Sequence, residues 1–538
     1  MIRRLLSIPG AGLVALAVGT PLLAQTFPTE NPVMQRMWRL GMDSSHTGAL
    51  AQALLDSIGP RLTGTPGQRN GNEWLVRMYT SWGIDAQNER FGTWRGWRRG
   101  HSHIDLLTPR VRTLEGTMLG HSPGTGGRDV TASTVILPEF ADSVAFVAWL
   151  PNVRGKLVLV APGQPTCRPS ADWDENATPA SDARMDSLRA RTTEAWSRRI
   201  AATGHSLAIG TGSLGLRLEQ AGAAGVITSR PKNAWGAIEI FETYNTSAPA
   251  ITLSCEDYGL VYRLTENDQH PTIRMNLDAE PLGEQPVFNT IARIPGTAKP
   301  DEYVVLSAHF DSWDGSSGAT DNGTGTITML EAMRILRLAY PQPKRTILVG
   351  HWSGEESGLV GSRAYSEDHP DVVTGMQALF NQDNGTGRIV RLSASGLPNG
   401  AEHIAQWIER LPVEFNEQIQ FGGAGFPAGG GSDHASFSCY GAPAFGLGAL
   451  GWEYFNYTWH TNRDTYDKIV FDDLKSNATL TAMLAYLASE DPTMITRERV
   501  DLAAIAASAG ESGGGRFRAP TSWPECSTAP RSTRPRLR

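Results

Sequence analysis

The chemistry this sequence can perform is concentrated in two histidines and a set of acidic residues. His309 and Asp311 stand in SAHFDSWD, Asp321 in SSGATDNGTG, Glu355 and Glu356 in WSGEESG, Asp383 in FNQDNG and His460 in YTWHTNRDT. His309, His460, Asp321, Asp383 and one of the two glutamates make up a ligand set for two divalent cations that share a carboxylate. Imidazole and carboxylate donors suit zinc with an open coordination position, and they also accept other divalent ions. Two such ions about 3.5–4 Å apart share a bridging water, polarise a carbonyl and stabilise the oxyanion that forms from it. A general base must still take the water's proton. Adjacent Glu355 and Glu356 divide these jobs, because neighbouring loop side chains point in different directions: one coordinates and the other stays free. Asp311 is placed to accept the free N–H of His309 and fix its tautomer.

These residues need a common scaffold, and the apolar pattern supplies one. Strands are predicted at 303–309, 345–352, 377–383 and 443–449, with helices at 322–339, 357–367, 399–410 and 472–488. Alternating strands and helices imply an α/β fold, a mostly parallel mixed sheet flanked by helices on both faces. Each polar cluster falls at or just beyond the C-terminal end of one strand, the edge at which open α/β sheets bind ligands. Asp321 opens helix 322–339. Standing alone it reads as a helix cap; beside His309 and Asp311 it reads as a ligand. Ahead of this region, 29–58 and 73–83 read as helices and IGPRLTGTPG (58–67) as a turn. Between about 130 and 285 the texture changes to short strands (156–162, 248–254), a polar Arg-rich helix at 180–203 and a Gly-rich turn at 222–225. This segment reads as a smaller α/β insert with its own core.

The length of 538 residues exceeds one core and fits this two-unit organisation. Charged residues are 19% of the chain and the formal net charge is −7, so no basic excess exists to follow a phosphate backbone and nucleic acid is excluded as a partner. GTGTI (323–327) contains no GxGxxG and no Walker sequence is present, so nucleotide binding has no support. Residues 1–24 combine Arg3 and Arg4 with a short apolar run interrupted by Pro9 and Pro21. They read as a cleavable signal peptide, so the mature chain is expected to be secreted or periplasmic, with no membrane contact. Cys167, Cys255, Cys439 and Cys526 are scattered with no CxxC, which excludes a thiolate metal cluster. Cys439 reads as core packing. Residues 511–538, rich in Gly, Pro and Arg, read as a flexible tail.

HFDSWD, ATDNGTG, WSGEESGLVGS, FNQDNGTG, GSDHASF and HTNRDTYDK resemble the motifs of the M28 family of di-zinc exopeptidases, densely over about 300–490. The short spacing from HFDSWD to ATDNGTG is similar to the carboxypeptidase Q branch, and IGPRLTG resembles that family's N-terminal segment. The resemblance implies that His309, Asp383 and bridging Asp321 hold one Zn2+. Asp321, Glu356 and His460 hold the other, with Glu355 as general base and Asp311 behind His309. It implies a zinc exopeptidase fold in two catalytic segments, 25–130 and 286–510. The 131–285 insert resembles a protease-associated domain. A homodimer and a short peptide substrate with a free N-terminus are also implied. The expected function is hydrolysis of dipeptides or short peptides through a bridging water activated by Glu355. Alternatives are a carboxypeptidase, which needs a cation such as Arg363 or Arg463 for the substrate carboxylate, a glutaminyl cyclase-like transferase, and an inactive binding protein. Trp459 stands where some relatives carry a Tyr or His that helps bind the substrate carbonyl.

Other polar residues are assigned supporting roles. His351 is expected to pack under the site. Ser432, Asp433 and His434 are consecutive and cannot easily form a Ser–His–Asp relay, so they are read as loop or pocket support. Asp464 and Tyr466 are expected to brace the His460 loop.

Overall fold

The computed structural model describes residues 29–207, 210–427, 430–503, 520 and 522–527. The expected signal peptide lies outside the described residues. Six strands frame the larger unit: β1 (Asp85–Thr108), β2 (Thr272–Ile294), β3 (Lys299–His309), β4 (Arg345–Trp352), β5 (Met376–Asn381) and β6 (Ala444–Gly446). Their order across the sheet is β6-β5-β3-β4-β2-β1. Neighbours from β6 to β4 pair in parallel, while β2 is antiparallel to both β4 and β1. The expected mostly parallel, mixed sheet is therefore present.

The central strands are apolar on both sides because both faces are covered. Val304, Leu306, Ile347, Val349, Ala378 and Phe380 join one core, against the helices α1 (Thr324–Ala339) and α3 (Phe471–Glu490). Their neighbours Val305, Leu348 and Leu379 turn to the opposite core, where Tyr365 of α2 (Val360–Asp368) packs. Alternation with period two, apolar on both faces, is what a buried parallel strand requires.

The smaller unit repeats this plan. Strands Val130–Ile136, Leu157–Leu159, Gly225–Thr228 and Ala250–Leu253 pair in parallel order. Phe146, Trp196, Leu214 and Leu218 cover one face, and Tyr258 and Val261 cover the other. Its core also takes Ile104, Leu106, Leu114 and Met118, from the chain ahead of residue 131. The reason is that β1 and β2 run unbroken from one unit into the other, paired antiparallel from Asp85↔Arg293 to Thr108↔Thr272. The apolar pattern did not announce these strands. Arg95, Arg98 and Arg99 and several glycines sit in β1, and much of the ribbon is solvated.

Disulfides join Cys167 to Cys255 and Cys439 to Cys526, leaving no free cysteine. Cys439 is thus a cross-link and not simple packing. Residues 522–527, expected to be loose, are tethered by it, and Trp523 receives the Arg499 guanidinium 4.5 Å from its ring centre. The tail arginines lie outside the described residues. Among the described residues no helix is long and apolar enough to cross a membrane.

Candidate metal centre

His309 is the last residue of β3, and Asp383 lies just past the end of β5. Glu355 and Glu356 follow β4, and Asp321 sits in the turn of 319–323 that leads into α1, where the Asp321–Asn322 peptide is cis. His460 lies in the loop after residues Tyr454–Thr458. The sheet brings all of these to one edge. His309 Nε2 is 3.2 Å from Asp383 Oδ1 and 3.3 Å from Asp321 Oδ1. His460 Nε2 is 3.1 Å from Asp321 Oδ2 and 3.0 Å from Glu356 Oε2. Asp321 thus turns one oxygen to each histidine, and two three-residue clusters form around it: His309, Asp321, Asp383 and Asp321, Glu356, His460. Donors about 2.0–2.1 Å from a tetrahedral zinc stand roughly 3.3 Å apart. The observed separations are of that size, so both clusters fit the cation expected.

The electrostatics lead to the same reading. Burial alone lowers the His309 pKa, but Asp383 and Glu355 raise it well above the ordinary imidazole value. Burial likewise lowers His460, yet Glu356 and Asp321 carry it up to about 10. Burial pushes Glu356 to about 7 against the pull of His460. Asp433 and Asp464, also buried, rise to about 7. Such a concentration of carboxylates in low dielectric demands positive charge, which divalent cations supply.

Glu355 stands apart. Its backbone N–H donates to Asp311 Oδ1 (3.1 Å), but its carboxylate makes no hydrogen bond among the described residues and joins neither cluster. Burial raises its pKa well above the usual glutamate value, with His309 opposing and Asp383, Glu356 and Asp433 adding to it. That is the environment of a proton acceptor tuned toward neutrality.

Asp311 acts differently from the simple expectation. His309 Nδ1 lies 3.0 Å from the Asp311 backbone oxygen, and the Asp311 carboxylate is 3.8 Å away, beyond hydrogen-bond reach. The main chain of Asp311 sets the tautomer. Its carboxylate instead receives the backbone N–H groups of Glu355 and Glu356 (3.1 and 3.3 Å) and the Thr63 hydroxyl (3.1 Å). Asp464, in the loop that follows His460, ties that loop to the turn of 319–323. It receives Thr320 N–H (2.7 Å) and Asp321 N–H (3.0 Å), so it holds the Asp321 turn. Tyr466 packs on Phe471, 5.3 Å between ring centres.

His351 is fully buried, pairs with the Tyr79 hydroxyl at 2.7 Å, and burial pushes its pKa down to about 3. It belongs to neither cluster. Ser432 Oγ accepts from Asn381 Nδ2 (2.8 Å), which ties its loop to the end of β5. Arg463 pairs with Glu115 at 2.8 Å, and Arg363 donates to Ser527 at 3.1 Å.

The turn at 58–64 carries more than the sequence pattern suggested. Arg61 is fully buried and donates to the carbonyls of Phe310 (2.8 Å), Gly59 (2.9 Å), Ser317 (2.7 Å) and Gly318 (3.0 Å). It therefore clamps both ends of the loop between His309 and Asp321. Arg61→Ala leaves those carbonyls without donors and is expected to destabilise the fold by roughly 3 kcal/mol or more. Urea unfolding measures this; a change under about 0.5 kcal/mol contradicts it.

The smaller unit touches the centre directly. Ile240 N–H donates to the His460 carbonyl (2.8 Å), Glu239 bridges Thr461, and Ile238 N–H donates to Asn462 Oδ1 (3.0 Å). The His460 ring is enclosed by Phe241 (5.3 Å), Trp313 (5.9 Å) and Trp459, which stacks on it at 3.7 Å. No local pattern marks Phe241 or Trp313 as neighbours of His460.

Comparison with known proteins agrees with this geometry. The sequence model of peptidase family M28 matches residues 289–485. Carboxypeptidase Q of Rattus norvegicus is 23% identical over 447 residues, covering 82% of this chain and 85% of that protein. The crystal structure of a peptidase M28 precursor from Shewanella amazonensis superposes with a TM-score of 0.62 at 25% identity, over 86% of this chain and 97% of the other. The structure of BSAP, a zinc aminopeptidase from Bacillus subtilis, gives a TM-score of 0.54 at 20% identity, over 84% and 96%. The residues described above thus lie within a segment, 289–485, that matches peptidase family M28, and over most of its length the chain is similar to metallo-exopeptidases of that kind.

Proposed function

We propose that this chain is an exported exopeptidase using two zinc ions, which releases amino acids from dipeptides or short peptides with a free N-terminus. The observation that carries the reading is Asp321 turning one oxygen to each of two His–carboxylate clusters, with the unbonded carboxylate of Glu355 beside them. The zinc aminopeptidase among the fold's relatives supports the choice of metal. The two disulfides support an oxidising compartment.

His309, Asp383 and Asp321 would hold one ion; Asp321, Glu356 and His460 would hold the other. When bound, such ions lower the pKa of water and polarise the scissile carbonyl. The protein's own part is then positional and acid–base. Asp311 and Asp464 hold the Glu355–Glu356 and Asp321 backbones in place through their N–H groups. Glu355 takes the proton of the attacking water as the C–O bond forms, then delivers it to the amine nitrogen as the C–N bond breaks. The aromatic wall of Phe241, Trp313 and Trp459 keeps water from the back of His460.

A matched substrate set tests this. The zinc-loaded full chain should cleave a free dipeptide and release the N-terminal residue from a longer free peptide. N-acetylation should reduce kcat/KM at least ~10²-fold, because a recognised ammonium is removed. Cleavage of the acetylated peptide with release of its C-terminal residue would replace the reading with a carboxypeptidase.

A further inference from the structure

The strands that carry the metal ligands border a second cavity near their opposite end. It has a volume of about 460 Å3 and lies between the start of β1, the end of β2, the first halves of β3 and β4, and the end of α2. Tyr303 stands on β3 six residues before His309, so the cavity is about 20 Å from the metal centre at ~3.3 Å per residue. Nothing in the exopeptidase reading uses it.

Its walls are acidic. Asp85, Glu89, Asp301 and Asp371 line it, against Arg293 and His369. Asp85 pairs with Arg293 Nε at 3.0 Å, and Glu89 pairs with His369 Nε2 at 3.1 Å. Asp301 and Asp371 are left without an ion pair among the described residues. Tyr303 and Tyr365 line the same space. Tyr365 is only 4% exposed, with its ring packed on Trp352 (5.0 Å) and His369 (4.2 Å). Its hydroxyl makes no hydrogen bond among the described residues and opens on the cavity. Burial raises its pKa, and Glu89 and Asp371 add to the rise. Burial, Asp371 and Asp301 act the same way on Tyr303. Both phenols therefore stay neutral beside carboxylates that lack a counter-charge. A buried hydroxyl without a partner costs free energy, which an occupant of the cavity would recover.

The unmatched groups are two carboxylates and a hydroxyl, all able to accept. They do not converge on one point: neither of the metal-sized clusters among the described residues includes them. A compact ammonium presents three donors from one atom, whereas a guanidinium spreads five over a planar fork and reaches acceptors that stand apart. We infer that this cavity binds the guanidinium of an arginine side chain, held by Asp301 and Asp371 with the Tyr365 hydroxyl as a further acceptor. Two sources offer that group. One is the chain itself: Arg363, two residues before Tyr365 on α2, bonds Ser527, and 528–538 contain Arg531, Arg534, Arg536 and Arg538 with no acidic side chain. The other is an arginine of another molecule. A seam that is merely solvated has no preference for either.

The test is calorimetric titration of the full chain with Nα-acetyl-arginine amide and with its neutral isostere, Nα-acetyl-citrulline amide. Both probes have blocked ends, so neither presents a free terminus to the metal centre. The same titrations are run on a full chain in which Arg531, Arg534, Arg536 and Arg538 are replaced by Gln. The arginine probe should bind about tenfold or more tightly than the citrulline probe, because only its contacts are charge-assisted. Asp301→Asn and Asp371→Asn should each weaken it about fivefold, and Tyr365→Phe about threefold, with peptide hydrolysis and the urea midpoint unchanged as the check on folding. A tethered arginine competes at an effective concentration of about 1 mM. Arginine binding about tenfold tighter in the Gln-substituted chain than in wild type therefore assigns the cavity to the chain's own arginines. Equal binding in the two assigns it to an arginine of another molecule. No binding to either chain overturns the inference, as do equal affinities for arginine and citrulline in both chains or an affinity that neither Asn variant changes. The exopeptidase reading stands in each of these cases, since no metal ligand takes part.

Discussion

Glu355→Gln is expected to carry the same metal content as wild type and to turn over peptide at least ~10³-fold more slowly, since a positioned general base supplies about 10²–10⁴. The two effects separate because Glu355 lies outside both ligand clusters, while its neighbour Glu356 lies within one. The exchange preserves size and removes only the ability to accept a proton. The backbone bonds from residues 355 and 356 to Asp311 do not depend on the side chain, so the loop should hold its shape. Metal analysis alongside kcat distinguishes this from the ligand role. Near-normal turnover would remove Glu355 from the proton pathway, and loss of metal would make it a ligand.

Asp321→Ala is expected to weaken both ion sites, leaving about one equivalent or less of bound zinc and no measurable hydrolysis, because ligand removal acts directly on metal affinity. The argument is geometric. Oδ1 stands 3.3 Å from His309 Nε2 and Oδ2 stands 3.1 Å from His460 Nε2, so one side chain completes two clusters. Burial raises the Asp321 pKa on its own, but His309 and His460 outweigh it and keep the carboxylate ionised and available. Full occupancy by two zincs in this variant, measured by elemental analysis after dialysis, would end the bridging assignment.

The centre was legible in the sequence because its residues are carried by elements with strong local signals. The strands before His309, before Glu355 and before Asp383 are apolar on both faces, so they read directly from composition and period. Their polar termini then fall on one edge by the logic of a parallel sheet. Helices were likewise visible: 322–339 and 472–488 correspond to Thr324–Ala339 and Phe471–Glu490. The long strands Asp85–Thr108 and Thr272–Ile294 were not, because a solvated, Arg- and Gly-bearing ribbon has neither an unbroken apolar run nor a clean alternation.

By itself the sequence determined the fold class, the residue types of the two clusters and the order in which they meet the sheet edge, since each of these rests on neighbours within a few residues. Only the tertiary structure decided which partner each polar group takes. Arg61 clamps a loop some 250 positions away, at Phe310 and Ser317. Asp311 orients His309 with its main chain and reserves its carboxylate for the Glu355–Glu356 backbone. Cys439 is cross-linked to Cys526, and Arg230 and Lys232 reach the surroundings of His460 from a separate unit. Contacts of that kind depend on chain closure over hundreds of residues, and they leave no periodicity behind; a hydrogen bond or an ion pair is fixed by distance in space, which local spacing along the chain does not encode.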